Sequence, residues 1–244
     1  MTSDSERYHL RDLARPPPPL AGARDRRSLF SVGLRRRRQK TIICASAAAT
    51  SRAKRLVDIF LSLAALLAFL PLLLLIALLV RQSLGAPVIY RQPRGGLLGK
   101  TFVIYKFRTM TATDGGEGVR HATKDDPRVA KVGAFLRRSS LDELPQLFNI
   151  LKGEMSIVGP RPHALVHDEY YSTHIPAYRA RMSAKPGLTG LAQISGHRGE
   201  ISNVEAMADR VACDLEYIQS WSLLFDLKLI FFTLVRFLFD PRAY

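Results

Sequence analysis

The stretch "RRSSLDELPQLFNILKGEMSIVGPRP", residues 137–162, sets two neighbouring acids, Asp142 and Glu143, between a pair of arginines and an arginine enclosed by prolines. Adjacent carboxylates repel, and on most chains they are solvated surface. Leu144, Leu147, Phe148 and Leu151 give the segment that follows one apolar helical face. Ser140 and Glu143 match the S-x-x-E capping box, which predicts a helix start with acids in its first turn. Pro145 fits freely only in a first turn, so either the helix begins near Asp142 or Pro145 kinks it. Both options put the carboxylates at a helix end, where their pKa is expected to be pulled down. Such a carboxylate stays ionised and can serve as a nucleophile or hold Mg²⁺. Pro160 and Pro162 then restrict the backbone on both sides of Arg161, which suits its guanidinium to bidentate phosphate recognition.

Upstream, residues 56–80 form an apolar run of 25 residues with Asp58 near its start and Pro71 near its middle. Its length suffices to cross a bilayer as a helix, and Pro71 favours a kink. "PVIYRQ" (87–92) and "TFVIYKFRTM" (101–110), joined by "GGLLGK", read as a β-hairpin carrying Arg91, Arg94, Lys100, Lys106 and Arg108. Such a basic hairpin is either a solvated edge or a face for lipid head groups. Residues 112–127 read as a polar loop and 128–138 as a helix with Arg137 and Arg138 in its last turn. The glycines of "KPGLTGLAQISGHRGE" (185–200) would allow close approach to a ligand. The segment 214–239, rich in phenylalanine, reads as a core helix or an interfacial one.

The net charge is +15, and residues 1–55 hold 14 Arg/Lys against 4 Asp/Glu, so +10 of it lies there. With "RPPPPL" and "RRRR", residues 1–50 read as a disordered basic tail. The charge calls for an anionic partner. A membrane-tethered nucleic-acid binder is one reading, but the chain carries no nucleic-acid motif and its charge sits mainly in the tail. No nucleic-acid partner is expected, and deleting residues 1–50 separates the cases, since only a nucleic-acid binder should depend on the tail. A third reading, a non-catalytic scaffold, sits poorly with an intact Asp-Glu pair. Two cysteines, Cys44 and Cys213, without C-x-x-C, argue against a disulfide framework or a zinc site. No H-E-x-x-H, G-x-S-x-G or P-loop occurs.

Five motifs in order, "KRLVDI" (54–59), "YKFRTM" (105–110), "LRRSSLDELPQLFNILKGEMSIVGPRP" (136–162), "KPGLTGLAQISGHRGE" (185–200) and "DLEYIQSWSLLFDLKLIF" (214–231), span nearly all of residues 52–240. In them the chain resembles bacterial sugar transferases of the monotopic phosphoglycosyl transferase family, in the short catalytic form. The resemblance implies transfer of a sugar 1-phosphate from a UDP-sugar to polyprenyl (undecaprenyl) phosphate, with release of UMP and with Mg²⁺, at the start of exopolysaccharide, capsule or O-antigen synthesis. It implies Asp142 as nucleophile, through a sugar-phosphoryl-aspartate, and Glu143 as metal ligand. Arg137, Arg161 and Arg108 are expected at the substrate phosphates, with membrane lipids and downstream glycosyltransferases as further partners. Many members carry a serine before the membrane-segment proline, where this chain has Leu70 before Pro71.

The expected fold is therefore α+β and mainly helical: a tail (1–50), a re-entrant kinked membrane helix (51–81), and a membrane-associated catalytic domain (82–244) with a small β-hairpin and interfacial amphipathic helices. Both flanks of the apolar run are basic. Residues 35–55 hold eight Arg/Lys and residues 81–110 hold six, with no acid in either. A straight span would place one flank outside, against the positive-inside bias, whereas turning back at Pro71 keeps both on the cytoplasmic face of the inner membrane.

Overall fold

The computed structural model describes residues 43–111, 128–197 and 203–239; the tail up to residue 42 and the 112–127 loop lie outside the described residues. Residues 43–50, read above as the end of the tail, carry a four-residue helix, α1 (Ala47–Thr50). Ala48 is buried, and the Ser46 amide donates to the Ser183 carbonyl at 2.8 Å.

The apolar run folds as two helices, α2 (Arg52–Ala68) and α3 (Leu70–Leu84), bent by 64°. The break falls at Phe69, with Pro71 in the first turn of α3. Proline is at home there, because deeper in a helix its ring would clash with the carbonyl four residues back. Among the described residues no single helix is long and apolar enough to cross a membrane; the bent pair together meets that length and composition. α2 buries Lys54, Asp58, Ser62 and Leu66, one per turn, and α3 buries Leu73, Ile76 and Val80. Leu56, Phe60, Leu67, Leu74, Leu75 and Leu78 stay exposed, an apolar surface too large for a face meant only for water.

The hairpin forms as expected, with slightly different ends: β1 (Ile89–Gly95) pairs antiparallel with β2 (Thr101–Phe107), Ile89 opposite Phe107 and Gly95 opposite Thr101. Then follow α4 (Lys131–Arg138), a 3-10 turn (Leu141–Glu143), α5 (Gln146–Lys152), β3 (Ser156–Val158), α6 (Leu165–His174), β4 (Gly187–Thr189), α7 (Leu191–Ile194), α8 (Val204–Ser220) and α9 (Leu223–Phe239). The 214–239 segment is thus two helices parted at Trp221. α9 buries Asp226 and Leu229 while Leu224, Phe231 and Leu234 stay exposed, so it is one-sided.

β3 and β4 pair in parallel, Ser156 opposite Gly187 and Val158 opposite Thr189. The glycine-rich loop belongs to this pairing. A Cβ on Gly187 would lie 2.1 Å from the Gly159 nitrogen, and one on Gly190 2.3 Å from the Gly159 oxygen. Gly187 and Gly190 therefore let two backbones meet, and their close approach is to the chain itself rather than to a ligand.

The main core joins Leu66, Ile76 and Val80 of the bent pair to Phe102 and Ile104 of β2 and to Leu136, Leu147 and Ile150. Three polar residues of "KRLVDI" fasten α2 to the rest. Lys54 Nζ donates to Asp226 Oδ2 at 2.6 Å and to the Val158 carbonyl at 3.0 Å. The Arg55 guanidinium donates to the carbonyls of Ile150 (2.5 Å) and Leu151 (2.7 Å), in the last turn of α5. Asp58 Oδ1 accepts from the Ser156 hydroxyl and the Ile157 amide, both at 3.0 Å. Tyr217 and Trp221 complete the Asp226 site, donating at 2.7 and 3.0 Å.

Candidate active site

The capping box read at Ser140 and Glu143 does not form. Ser140 takes a left-handed conformation (φ 52°, ψ 16°) and its side chain does not cap the turn. The chain makes one 3-10 turn over Leu141–Glu143, and α5 starts only at Gln146, with Pro145 as N-cap. Proline decides this: a helix begun at Leu141 would carry Pro145 past its first turn, where the ring meets the carbonyl of residue 141. The turn directs both acids inward, leaving Asp142 8% and Glu143 9% exposed.

Buried carboxylates need partners, and of these two only Glu143 has them in contact among the described residues. Arg161 Nη2 donates to Glu143 Oε1 at 2.6 Å and Nη1 to Oε2 at 3.2 Å. Lys106 Nζ, from β2, donates to Oε1 at 2.7 Å. Burial works to raise the Glu143 pKa, but Arg161 and Lys106 together overcome it and hold the carboxyl well below its ordinary value. Asp142 behaves in the opposite way. Burial first, and then the Glu143 charge, push its carboxyl up to about 6, against the weaker pull of Lys106, Arg161 and Arg137. The expectation that both pKa values fall at a helix end is corrected for Asp142: a three-residue turn offers little dipole, and desolvation beside a second acid outweighs it.

The pair is thus split into a cation-held Glu143 with a depressed pKa and a buried Asp142 whose pKa is pushed up to about 6. Such divergence in adjacent acids makes the turn a functional-site candidate. Arg137, in the last turn of α4, acts on Asp142 through its charge. Arg108 is placed differently. Its Nε donates to the Met110 carbonyl (3.0 Å), Nη1 to those of Leu84 (3.3 Å) and Ala86 (2.9 Å), and Nη2 to that of Thr111 (2.8 Å). It ties the end of α3 to the chain leaving β2. Pro71 lies in the bent pair, as described above.

Further basic groups stand around Arg161. Arg94 of β1 donates to Gln92 and, at 3.5 Å, to the Pro162 carbonyl. Burial, and then Arg161, lower its pKa to about 10. Burial lowers that of Arg210 to about 10 too, with Arg161 adding to it. A shallow groove beside Arg161 is lined by Gly95, Gly96, Pro160, Arg181 and Met182. Arg94, Arg161 and Arg210 thus lie near enough to depress one another, a local concentration of positive charge. Lys106, expected on a solvated or lipid-facing edge, thus faces Glu143 instead, while Arg181 and Arg210 carry no sequence motif. The Lys106 placement is legible in the sequence: Phe102, Ile104 and Lys106 alternate along β2, so the lysine shares the inward face.

Among the described residues no three acidic, histidine or cysteine side chains form a metal cage. Mg²⁺ does not need one, being held commonly by one or two carboxylates together with substrate phosphates and water. Asp142 and Glu143 would fit that donor set, and among the described residues Glu143 Oε2 takes only the longer Arg161 bond.

The model of the family described as bacterial sugar transferase matches residues 49–240. The chain is 50% identical over 191 residues to a UDP-glucose:undecaprenyl-phosphate glucose-1-phosphate transferase of Caulobacter vibrioides, covering 78% of this chain and 72% of that protein. A protein of the same name from Escherichia coli is 51% identical over 191 residues, 78% of this chain and 41% of the relative. The exopolysaccharide production protein PSS of Rhizobium leguminosarum is 44% identical over 186 residues, 75% of this chain and 93% of its own length. The matched span runs from α1 past the end of α9 and holds the bent helix pair, the hairpin, the Asp142–Glu143 turn and Arg161. The chain belongs to the bacterial sugar transferase family.

Proposed function

We propose that the protein transfers glucose 1-phosphate from UDP-glucose to undecaprenyl phosphate, releasing UMP, as the first membrane step of exopolysaccharide synthesis. The observation that carries this is the split acid pair: Glu143 gripped by Arg161 and Lys106, and Asp142 left beside it without such a grip. The names of the relatives supply glucose and the polyprenyl acceptor.

An Asp142 carboxylate oxygen attacks the phosphorus that bears the sugar. The bond from that phosphorus to the bridging oxygen breaks, and UMP leaves with the electron pair. An oxygen of undecaprenyl phosphate then attacks the same phosphorus, and the carboxylate departs unchanged. Phosphoryl transfer of this kind depends on positioning and on neutralising charge more than on acid–base catalysis. Arg161 and Arg137 serve the second need, and Lys106 shares it by holding Glu143. Glu143 would hold Mg²⁺, which when bound supplies further neutralisation of pyrophosphate charge.

The bent pair is read as re-entrant, entering and leaving on the cytoplasmic face, with the exposed sides of α3 and α9 toward lipid. Basic flanks on both sides of the pair support this. The function is tested by assaying UMP release from a panel of UDP-sugars with undecaprenyl phosphate. Release from UDP-glucose that needs the lipid acceptor for turnover is expected. No UMP from any UDP-sugar overturns the reading, and release only from another sugar overturns glucose.

A further inference from the structure

Pro160 and Pro162 carry no N–H, so residues 160–162 must be anchored mainly through their carbonyls. All three are engaged. The Pro160 carbonyl accepts from the Gly187 amide at 2.9 Å, and that of Pro162 from Arg94 at 3.5 Å. The middle one, Arg161's own, accepts from Arg181 Nη2 at 2.6 Å, the shortest of the three and charge-assisted.

Arg181 is itself fixed from several sides. Its Nε donates to Asp214 Oδ2 of α8 at 2.8 Å, and Nη2 lies 2.7 Å from the same oxygen. Nη1 lies 3.2 Å from His163 Nδ1, which is 2.7 Å from the Tyr178 hydroxyl; that hydroxyl donates to Asp168 of α6 at 2.6 Å. Arg181, Asp214, His163 and Tyr178 are all buried. Burial, and then the surrounding guanidiniums, keep the imidazole well below its ordinary pKa and so uncharged. None of these four groups is needed to break or form a bond in the reaction above, and they converge on one backbone oxygen.

We propose that Arg181 is a positioning residue for Arg161: braced by Asp214, it holds the Arg161 carbonyl and so fixes where the Arg161 guanidinium and Glu143 face the substrate phosphate. The inference rests on the transferase reading. A guanidinium can bond Asp214 and the Arg161 carbonyl at once through its rigid fork, whereas a lysine in its place has one nitrogen for both.

The test is a double-mutant cycle on the full chain in detergent, with UDP-glucose and undecaprenyl phosphate. Arg181→Lys is expected to lower kcat by about tenfold or more, as misplacement of a charge-neutralising group does, with KM within about threefold and the melting temperature near the parent's. In an Arg161→Lys background the same change should cost less than about twofold, because the group it positions is already gone. Parental kcat in Arg181→Lys, or full multiplication of the two losses, overturns the inference. Should Arg181→Lys not fold, Asp214→Asn replaces it in the cycle, with the same kcat loss and coupling expected and a lowered melting temperature, since it leaves the buried Arg181 without its carboxylate. A parent that releases no UMP overturns the transferase reading, whereas an active parent with multiplying losses overturns the positioning role alone.

Discussion

Arg161 and Glu143 meet fork to fork, at 2.6 and 3.2 Å, across 18 residues of sequence, and Lys106 closes the same carboxylate from the hairpin. Two cations on one acid leave net positive charge beside Asp142, and that excess is what an incoming pyrophosphate would meet. Arg161→Lys keeps the charge and loses the fork. UMP release should fall by about tenfold or more, the scale of a lost charge-assisted pair. An Arg161→Lys enzyme as fast as the parent would count against bidentate binding.

Asp142→Asn should abolish turnover, since an amide is neither anionic nor a useful nucleophile here. It should also stabilise the fold. The folded pKa of Asp142 is raised from an ordinary 3.8 to about 6, so its stabilising contribution is complete below 3.8 and is lost as pH rises through about 6. At pH 7.5 the ionised carboxylate then costs about 3 kcal/mol. Thermal melts should place Asp142→Asn above the parent at pH 7.5, with the gap closing near pH 4. For the parent, kcat/KM should fall as pH drops below about 6. A variant less stable than the parent at pH 7.5 refutes the burial cost.

Glu143 carries the opposite sign. Its pKa is depressed, so the stability it contributes is present above the ordinary carboxylate value and disappears as pH falls through the folded one. Glu143→Gln should therefore melt lower than the parent at neutral pH, with Lys106 and Arg161 left facing a neutral amide. It should also lose rate and shift the Mg²⁺ concentration needed for half-maximal UMP release upward. Unchanged Mg²⁺ dependence would remove Glu143 from the metal site.

Lys54 and Asp226 join α2 to α9 through a buried ion pair at 2.6 Å. Removing one partner from such a pair leaves a buried charge, at a cost of about 3–5 kcal/mol. Lys54→Met should lower the melting temperature accordingly, and adding Asp226→Asn should recover part of the loss. A Lys54→Met protein that melts within a degree of the parent would show that the pair does not hold the two helices.

Asp142, Glu143 and Arg161 stand out in the sequence because of their neighbours, acids set beside arginines and an arginine between prolines, and the fold does bring Arg161 onto Glu143. The turn that holds the two acids does not stand out, since Ser140 and Glu143 satisfy a capping pattern that Pro145 overrides by moving the helix start to Gln146. The direction of the Asp142 pKa is hidden for a related reason, because sequence shows the helix end and not the burial. Arg181 is 20 residues from Arg161 and 33 from Asp214, and no local pattern links them. Arg108 shows the converse: a motif arginine beside the expected site whose guanidinium serves four carbonyls of its own chain.

The bent pair permits a test of topology. α2 and α3 turn by 64° at Phe69, which lets the chain leave on the side it entered, and the basic flanks favour that side being cytoplasmic. Cys44, exposed and ahead of α2, reports one flank. Lys100, exposed in the turn between β1 and β2, reports the other. Two single-cysteine proteins are compared, both with Cys213→Ser: one retains Cys44, and the other carries Cys44→Ser with Lys100→Cys. An impermeant maleimide should label neither in intact spheroplasts and both in inverted membrane vesicles. Labelling of Lys100→Cys from outside while Cys44 stays protected would mean that the pair crosses the bilayer, and the re-entrant reading would be wrong.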